Sequence, residues 1–159
     1  MKIKTDLAEQ AIGPSNTDMV TWSDLYATGI ELIDEQHKEL VNLTNQLFQA
    51  CRTGQGAVEV VFKDAMHRMV DYVRFHFGME QKLLEQIKFP QCKDHIREHE
   101  SLVKDILEAA KEFDAGKKYT AHNFVRTLKD WVFSHIAISD KIYAAYVQEE
   151  KKKGLLQDL

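Results

Sequence analysis

Long stretches without proline are the feature that most restricts the fold of this chain. Only Pro14 and Pro90 occur among 159 residues, so little in the chain interrupts a helix. Apolar residues recur every three to four positions, the spacing of one helix face, and no segment shows a convincing strand alternation. With their short connections, the segments predict an all-α, antiparallel up-down-up-down four-helix bundle with an N-terminal arm. The predicted helices are about residues 32–51, 57–86, 91–114 and 120–152, and Ile138 and Ile142 are expected on the core-facing side of the fourth.

The pattern divides the chain into three parts. Residues 1–20 are predicted to form an N-terminal extension, residues 21–153 the four-helix domain, and residues 154–159 a C-terminal tail. Trp22 and Ile30 are the expected anchors of the arm on the bundle.

Charge and cysteine content exclude several classes of protein. The 21 basic and 25 acidic residues give a net charge of −4, which does not suggest nucleic-acid binding. No apolar run approaches the roughly 20 residues that span a membrane, and the N-terminus lacks the apolar core of an export signal. Cys51 and Cys92 are too few for a disulfide framework. We therefore expect a cytoplasmic protein, and nothing in the sequence requires more than a monomer.

Five of the seven histidines fall on the apolar faces of the predicted helices. Glu80 follows one of them by four residues, and Asp140 follows another by five. Residues four apart share a helix face, so these side chains are expected to point into the core. A buried carboxylate is costly unless it is paired or bound to a metal, which favours one shared polar site. The five histidines are His37, His76, His95, His99 and His135.

Counting residues from the predicted turns brings the five rings to one level of the bundle, within about two helical turns. One spacing is awkward, because His135 and Asp140 lie about 140° apart around an ideal α-helix. A site two metals wide, or a locally widened turn, would reconcile them. On two six-coordinate ions, five histidines, two bridging carboxylates and a bridging oxygen leave one position vacant. Imidazole and carboxylate together suit iron, and one vacancy suits a small diatomic ligand.

The order of these residues resembles that of the hemerythrins, particularly the bacterial single-domain hemerythrins, over about residues 20–150. All seven ligand positions of that family are filled here. The matching features are Trp22, Gly29, I-D-E-Q-H ending at His37, H-F-G-M-E from His76 to Glu80, H-I-R-E-H from His95 to His99, and W-V-F-S-H-I-A-I-S-D from Trp131 to Asp140.

The resemblance implies a non-haem di-iron centre that binds O2 reversibly. It further implies that apolar residues near the site exclude water and slow autoxidation, with Phe77, Trp131 and Val132 as the candidates. The iron near the two-histidine set would take O2. The implied ligands are His95, His99 and His135 on one iron and His37 and His76 on the other, bridged by Glu80, Asp140 and an oxo or hydroxo group.

Some residues depart from the family pattern. Gln81 stands where many bacterial relatives carry a second acid, and it is expected to face away from the metals. His67 and His122 match no ligand position and are expected at the surface or behind the ligands. The N-terminal arm is longer than in the shortest relatives, as expected either of a tail or of a remnant of fusion to a signalling protein.

Two other kinds of metal site match part of this pattern. H-I-R-E-H fits the H-x-x-E-H pattern of one zinc-peptidase group, with Glu98 as the general base. That interpretation leaves the histidines and carboxylates of the other three helices unexplained and offers no strand to hold a peptide. A ferritin-like oxidase needs Glu-x-x-His on two helices, and no histidine here has a glutamate three residues before it.

The resulting hypothesis is an O2 carrier or store rather than an enzyme, delivering O2 to an O2-consuming enzyme. The extra arm and the basic C-terminal helix also allow an O2- or redox-sensing module that acts on a signalling partner. A third possibility is an enzyme that scavenges nitric oxide or peroxide.

Overall fold

The computed structural model describes residues 18–52, 58–117 and 119–156, most of which lie in helices. No strand occurs in these ranges, so the predicted all-α fold is confirmed. A short 3-10 helix, Asp24–Tyr26, precedes the bundle. The five α-helices are α1 (Glu31–Arg52), α2 (Val58–Gln86), α3 (Cys92–Asp114), α4 (Tyr119–Ser134) and α5 (Asp140–Lys152).

The helices form a four-rod bundle in which α4 and α5 together make the fourth rod. Helix α1 packs against α2 and α4, and α3 packs against the same two helices. The predicted helix limits agree with the structure to within about two residues, although the predicted start at residue 57 lies outside the described residues. The same holds for residues 1–17 of the predicted extension and 157–159 of the predicted tail. None of the described helices has the length and apolar character needed to cross a membrane.

A π-helical turn, His135–Ser139, joins α4 to α5. Its wider i→i+5 hydrogen bonding adds one residue to the turn and rotates the following face. The sequence pattern placed Ile138 and Ile142 in the core, and this was wrong: they are 61% and 48% exposed. Ile136 and Tyr143 are fully buried instead, because the extra residue moves the inward face of the rod.

The end of α3 shows why the chain turns where it does. Gly116 has φ +82°, a left-handed conformation that glycine adopts without strain. Its amide donates to the carbonyl of Phe113, and the amide of Lys117 donates to the carbonyl of Glu112. These two bonds form a Schellman motif, which satisfies carbonyls that the helix end leaves without partners.

The segment before α1 is held against the bundle. The side chain of Asn45 accepts hydrogen bonds from the amides of Met19 and Val20 and donates to the carbonyl of Val20. Val20 is buried. Trp22 and Ile30 pack against the apolar core, as predicted. The division of the chain at residue 20 stays a prediction.

The apolar core consists of two clusters, and the predicted site lies between them. The larger cluster contains Leu47, Phe62 and Leu128, and the smaller contains Leu84 and Tyr143. In every rod, the candidate ligands lie in sequence between residues of one cluster and residues of the other. The bundle therefore carries one polar layer with apolar packing above and below it.

Candidate metal centre

All seven predicted site residues lie together in this polar layer. None is more than 4% exposed to solvent, so the layer is shielded on all sides. Each of the four rods contributes at least one of them. They are His37 from α1, His76 and Glu80 from α2, His95 and His99 from α3, and His135 and Asp140 from the rod of α4 and α5.

Helical spacing explains how most of these side chains share a direction. His76 and Glu80 are four residues apart on α2, and His95 is four residues before His99 on α3, so each pair lies on one helix face. His135 and Asp140 lie at the two ends of the π turn. The amide of Asp140 donates to the carbonyl of His135, and this i→i+5 bond places the two residues one turn apart. The widened turn that the awkward spacing suggested is therefore present.

Glu80 lies between histidines of different rods. Its Oε2 atom is 3.1 Å from His99 Nε2, 3.5 Å from His95 Nε2 and 3.6 Å from His76 Nε2. Its Oε1 atom is 3.7 Å from His37 Nε2. One carboxylate thus faces imidazoles from α1, α2 and α3.

Asp140 occupies a similar central position. Its Oδ1 atom is 3.0 Å from His135 Nε2 and 3.3 Å from His95 Nε2, and its Oδ2 atom is 3.1 Å from His37 Nε2. The ligand atoms divide into two compact groups, within each of which all lie within 4.8 Å of one another. One group is Glu80, His95, His99, His135 and Asp140, and the other is His37, His76 and Glu80.

The arrangement of these nitrogen and oxygen atoms suits metal binding better than hydrogen bonding among the side chains themselves. Buried polar atoms normally have hydrogen-bond partners, yet many atoms of the layer have none although they face each other closely. Nitrogen and carboxylate lone pairs aimed into a shared space are the donor set that iron accepts. The buried site atoms without a hydrogen-bond partner are His37 Nδ1 and Nε2, His76 Nε2, Glu80 Oε2, His95 Nε2 and both Asp140 oxygens.

Burial and neighbouring charge shift the pKa values in opposite directions across the layer. Burial lowers the pKa of His76 from 6.5 to about 4. Burial also opposes protonation of His37, but the close, negatively charged carboxylates of Asp140 and Glu80 prevail and raise its pKa to about 9. Burial would raise the pKa of Glu80, yet the surrounding imidazoles hold it well below its usual value. Burial and the charge of Glu80 would raise the pKa of Asp140, but His135 and His37 lower it, so both carboxylates are kept as anions, the form that binds metal.

A second set of residues holds the ring and carboxylate orientations. The Nδ1 atom of His76 lies 2.8 Å from the side-chain Oε1 of Gln36. Tyr72 donates its hydroxyl to the backbone carbonyl of Gln36 at 3.0 Å. Tyr143 donates its hydroxyl to Glu80 Oε1 at 2.5 Å. The sequence analysis did not identify Gln36 or Tyr143 as part of the site, although Gln36 precedes His37 directly and Tyr143 lies about one turn after Asp140.

Aromatic rings cover one side of the layer. Phe77 stacks on His99 with parallel planes and centroids 3.6 Å apart. Trp131 stacks on His135 at 4.3 Å, and Phe77 and Trp131 contact each other at 5.6 Å. Val132 is fully buried in the larger cluster. The expected position of Phe77 and Trp131 beside the site is confirmed.

Glu98 is the other residue that sequence reasoning did not place at this layer. The zinc-peptidase interpretation made it a general base, but its Oε2 atom accepts from His135 Nδ1 at 2.8 Å and from Ser139 Oγ at 2.7 Å. His95 and His99 also lie against Glu80 of α2 and against His135 and Asp140 of the α4 and α5 rod, which argues against a two-histidine peptidase site. The sequence feature that could have indicated this role is the position of Glu98 between two predicted ligands in H-I-R-E-H.

The predicted non-ligands lie away from the layer. His67 and His122 are exposed. Gln81 is exposed as well and donates to Glu85 at 2.9 Å. Cys51 and Cys92 are both free thiols.

Comparisons with known proteins point to one family. A family model, the Hemerythrin HHE cation binding domain, matches residues 28–147. A bacteriohemerythrin of Stenotrophomonas maltophilia is 33% identical over 131 residues, covering 82% of each chain. One of Methylococcus capsulatus is 29% identical over 126 residues, covering 79% of this chain and 94% of the relative. A crystal structure of wild-type hemerythrin has a TM-score of 0.71 and 26% identity, covering 80% of this chain and 96% of the other.

Proposed function

Because this chain belongs to the hemerythrin family, we propose that it binds O2 reversibly at a non-haem di-iron centre and serves as an O2 carrier or store. The observation that carries the proposal is the convergence of seven buried ligand side chains in two groups that share Glu80. The functional unit is the bundle, residues 21–153, with residues 1–20 as an extension and 154–159 as a tail.

The proposed ligand roles follow from the two groups of donor atoms. Glu80 and Asp140 lie within 3.7 Å of histidines on both sides of the layer, which supports a bridging role together with an oxo or hydroxo group. The chemistry that bound iron supplies is reversible electron exchange with O2. In the proposal, one ion is held by His95, His99 and His135, and the other by His37 and His76.

O2 is assigned to the side of His37 and His76. Only two histidines reach that side, whereas three reach the other, so fewer protein donors compete for the ion there. Both rings are fully buried, which keeps water from the same position. The low polarity of the surrounding core favours a small apolar gas over water.

Phe77 and Trp131 exclude water from the opposite side of the layer. They stack directly on His99 and His135, and the stacked area replaces solvent at the rings. A dry site is expected to slow the loss of electrons to solvent-borne oxidants, which is the property a carrier or store needs.

The deciding experiment is an iron count per chain, combined with absorption spectra of the reduced protein before and after exposure to air. We expect two irons and a new visible absorption that disappears when O2 is removed. One iron per chain, or a spectrum that never returns to the reduced form, would contradict the proposal.

Alanine variants of α2 sharpen this test. Glu80→Ala is expected to lower iron occupancy in both groups, and His76→Ala to deplete one ion and bleach the visible band. His67→Ala is the matched control, since it removes an exposed histidine from the same helix and is expected to leave both ions in place.

The lifetime of the O2 complex distinguishes a carrier from the other two functions. A carrier or store requires a long-lived complex, whereas a redox sensor acting on a signalling partner tolerates rapid oxidation. Turnover of nitric oxide or peroxide with a reductant would indicate an enzyme. We further propose a cytoplasmic monomer that supplies an O2-consuming enzyme. The two free cysteines fit the reducing conditions of the cytoplasm.

A further inference from the structure

Glu98 connects α3 to both ends of the π turn through a single oxygen atom. Its Oε2 accepts from Nδ1 of His135, the first residue of the turn, at 2.8 Å. The same oxygen accepts from Oγ of Ser139, the last residue of the turn, at 2.7 Å. The acid therefore holds the π turn, whose hydrogen bonding departs from the α-helical pattern.

The bond to Nδ1 has a consequence for the other ring nitrogen. The Glu98 carboxylate can only accept a hydrogen bond, so its bond to His135 requires a proton on Nδ1, and a neutral ring in this state has none on Nε2. Nε2 then carries a lone pair directed into the layer, where Asp140 Oδ1 lies at 3.0 Å and His99 Nε2 at 2.9 Å. This is the orientation and tautomer that a metal-binding imidazole needs.

We propose that Glu98 is the positioning residue of the three-histidine group: it sets the orientation and tautomer of His135 and, through Ser139, holds the π turn that carries Asp140 into the layer. The inference deepens the proposed function and rests on it for the identity of the ion. The positioning of His135 and Asp140, however, is a property of the protein alone and can be measured without metal.

The partner of His135 also differs in charge from the partner of His76. His76 Nδ1 faces the neutral amide oxygen of Gln36 at 2.8 Å, whereas His135 Nδ1 faces an anion. The side chain of Glu98 is 48% exposed although that of His135 is 1% exposed, so solvent stabilises the charge. An anionic acceptor makes an imidazole a stronger donor to metal. Glu98 is thus expected to favour the ferric state in the three-histidine group.

The first test uses the metal-free protein at a pH where the spectra show His135 to be neutral. Long-range 1H–15N spectra of labelled histidine report which ring nitrogen of each histidine carries the proton. In the wild type and in Glu98→Gln, whose amide oxygen can still accept, we expect the proton of His135 on Nδ1. In Glu98→Ala we expect it on Nε2, where Asp140 Oδ1 can accept it.

Glu100→Ala is the matched control, because it removes an exposed acid from the same helix without a described bond to His135. It is expected to leave the His135 tautomer unchanged. Ser139→Ala is expected to keep the tautomer but to speed hydrogen exchange of the Asp140 amide, which closes the π turn. An unchanged His135 tautomer in Glu98→Ala, even with lowered stability, would overturn the inference.

The second test uses the iron-loaded protein. Glu98→Ala is expected to weaken iron binding about 10- to 100-fold, the usual effect of removing such a partner. Glu98→Gln is expected to restore most of the affinity and to shift the reduction potential to a more positive value, because the acceptor is no longer charged. Equal reduction potentials in the wild type and Glu98→Gln would refute the claim that the charge of Glu98 favours the ferric state. Failure of the wild type to bind O2 reversibly would refute the proposed function while leaving the metal-free result intact.

Discussion

His135 and Asp140 contact each other twice across the π turn. The amide of Asp140 donates to the carbonyl of His135, and the His135 Nε2 atom lies 3.0 Å from Asp140 Oδ1. In an ideal α-helix, residues five apart lie about 140° apart around the axis, and these two side chains could not share a site. The extra residue of the turn is therefore what allows both to reach the layer.

Deleting Ile138 is expected to convert the π turn into an ordinary α-helical turn. His135 and Asp140 would then be four residues apart, which also places them on one face. Ile138 is 61% exposed, so little packing is lost. We expect the deletion variant to keep its iron stoichiometry and a melting temperature near that of the wild type, as measured by metal analysis and thermal unfolding.

Deleting Ile142 is the contrasting variant. It lies beyond the π turn, so its removal rotates the rest of α5 by about 100° and turns Tyr143 and Val147 out of the core. Strong destabilisation is expected although Ile142 is itself 48% exposed. Equal melting temperatures for the two deletions would contradict the role assigned to the turn.

Tyr143→Phe is expected to destabilise the metal-free protein by about 1.5–3 kcal/mol, the usual contribution of a hydrogen bond to a charged group. The substitution keeps the ring but removes the hydroxyl that donates to buried Glu80 at 2.5 Å. Chemical unfolding measures the change. Tyr146→Phe is the control, because the Tyr146 hydroxyl reaches the Ile87 carbonyl only at 3.4 Å. If both substitutions lower the free energy of unfolding equally, the bond to Glu80 has no special role.

Alkylation of Cys51 is expected to be slow at neutral pH and to accelerate well into the alkaline range. Burial raises the pKa of this thiol from 9.0 to about 11, so below both values the folded protein carries about 100-fold less thiolate than an unfolded chain. The rate with iodoacetamide should rise about tenfold per pH unit until pH approaches 11. Measured in a Cys92→Ser background, a plateau already at pH 9 would contradict the shift.

Asn45→Ala is expected to release the segment before α1. The side chain makes three hydrogen bonds to the backbone of Met19 and Val20, at 3.0, 3.0 and 2.8 Å. Their loss should cost about 1–3 kcal/mol and speed proteolysis ahead of Trp22. Asn42→Ala removes an asparagine of the same helix that bonds only to the exposed Glu39 among the described contacts, and it should leave the cleavage rate unchanged.

The helices and the candidate ligands could be predicted from the chain because both depend on local spacing. Apolar residues three and four apart identify a buried helix face, and histidines on that face must lie in the core wherever the helix packs. The order of seven matching positions then identified the family. The same logic failed at Ile138 and Ile142, because a strict 3.6-residue period cannot detect one extra residue in a turn.

Glu98, Gln36 and Tyr143 could not be assigned from the pattern, for a different reason. Each acts through a contact with another rod. Gln36 contacts His76, 40 residues away, and Tyr143 contacts Glu80, 63 residues away. Glu98 contacts His135, 37 residues away. A half-exposed glutamate such as Glu98 looks in sequence like any solvated surface acid.

Periodicity and residue type were thus enough to decide that the chain makes four rods and which seven side chains enter their common core, because these properties are set within single helices. Which carboxylate faces which imidazole, how His135 is oriented, and how Asp140 reaches the layer were decided only when the rods packed. Those contacts depend on the rotation of each helix about its axis, and a single added residue, as in the π turn, changes that rotation by about 100°.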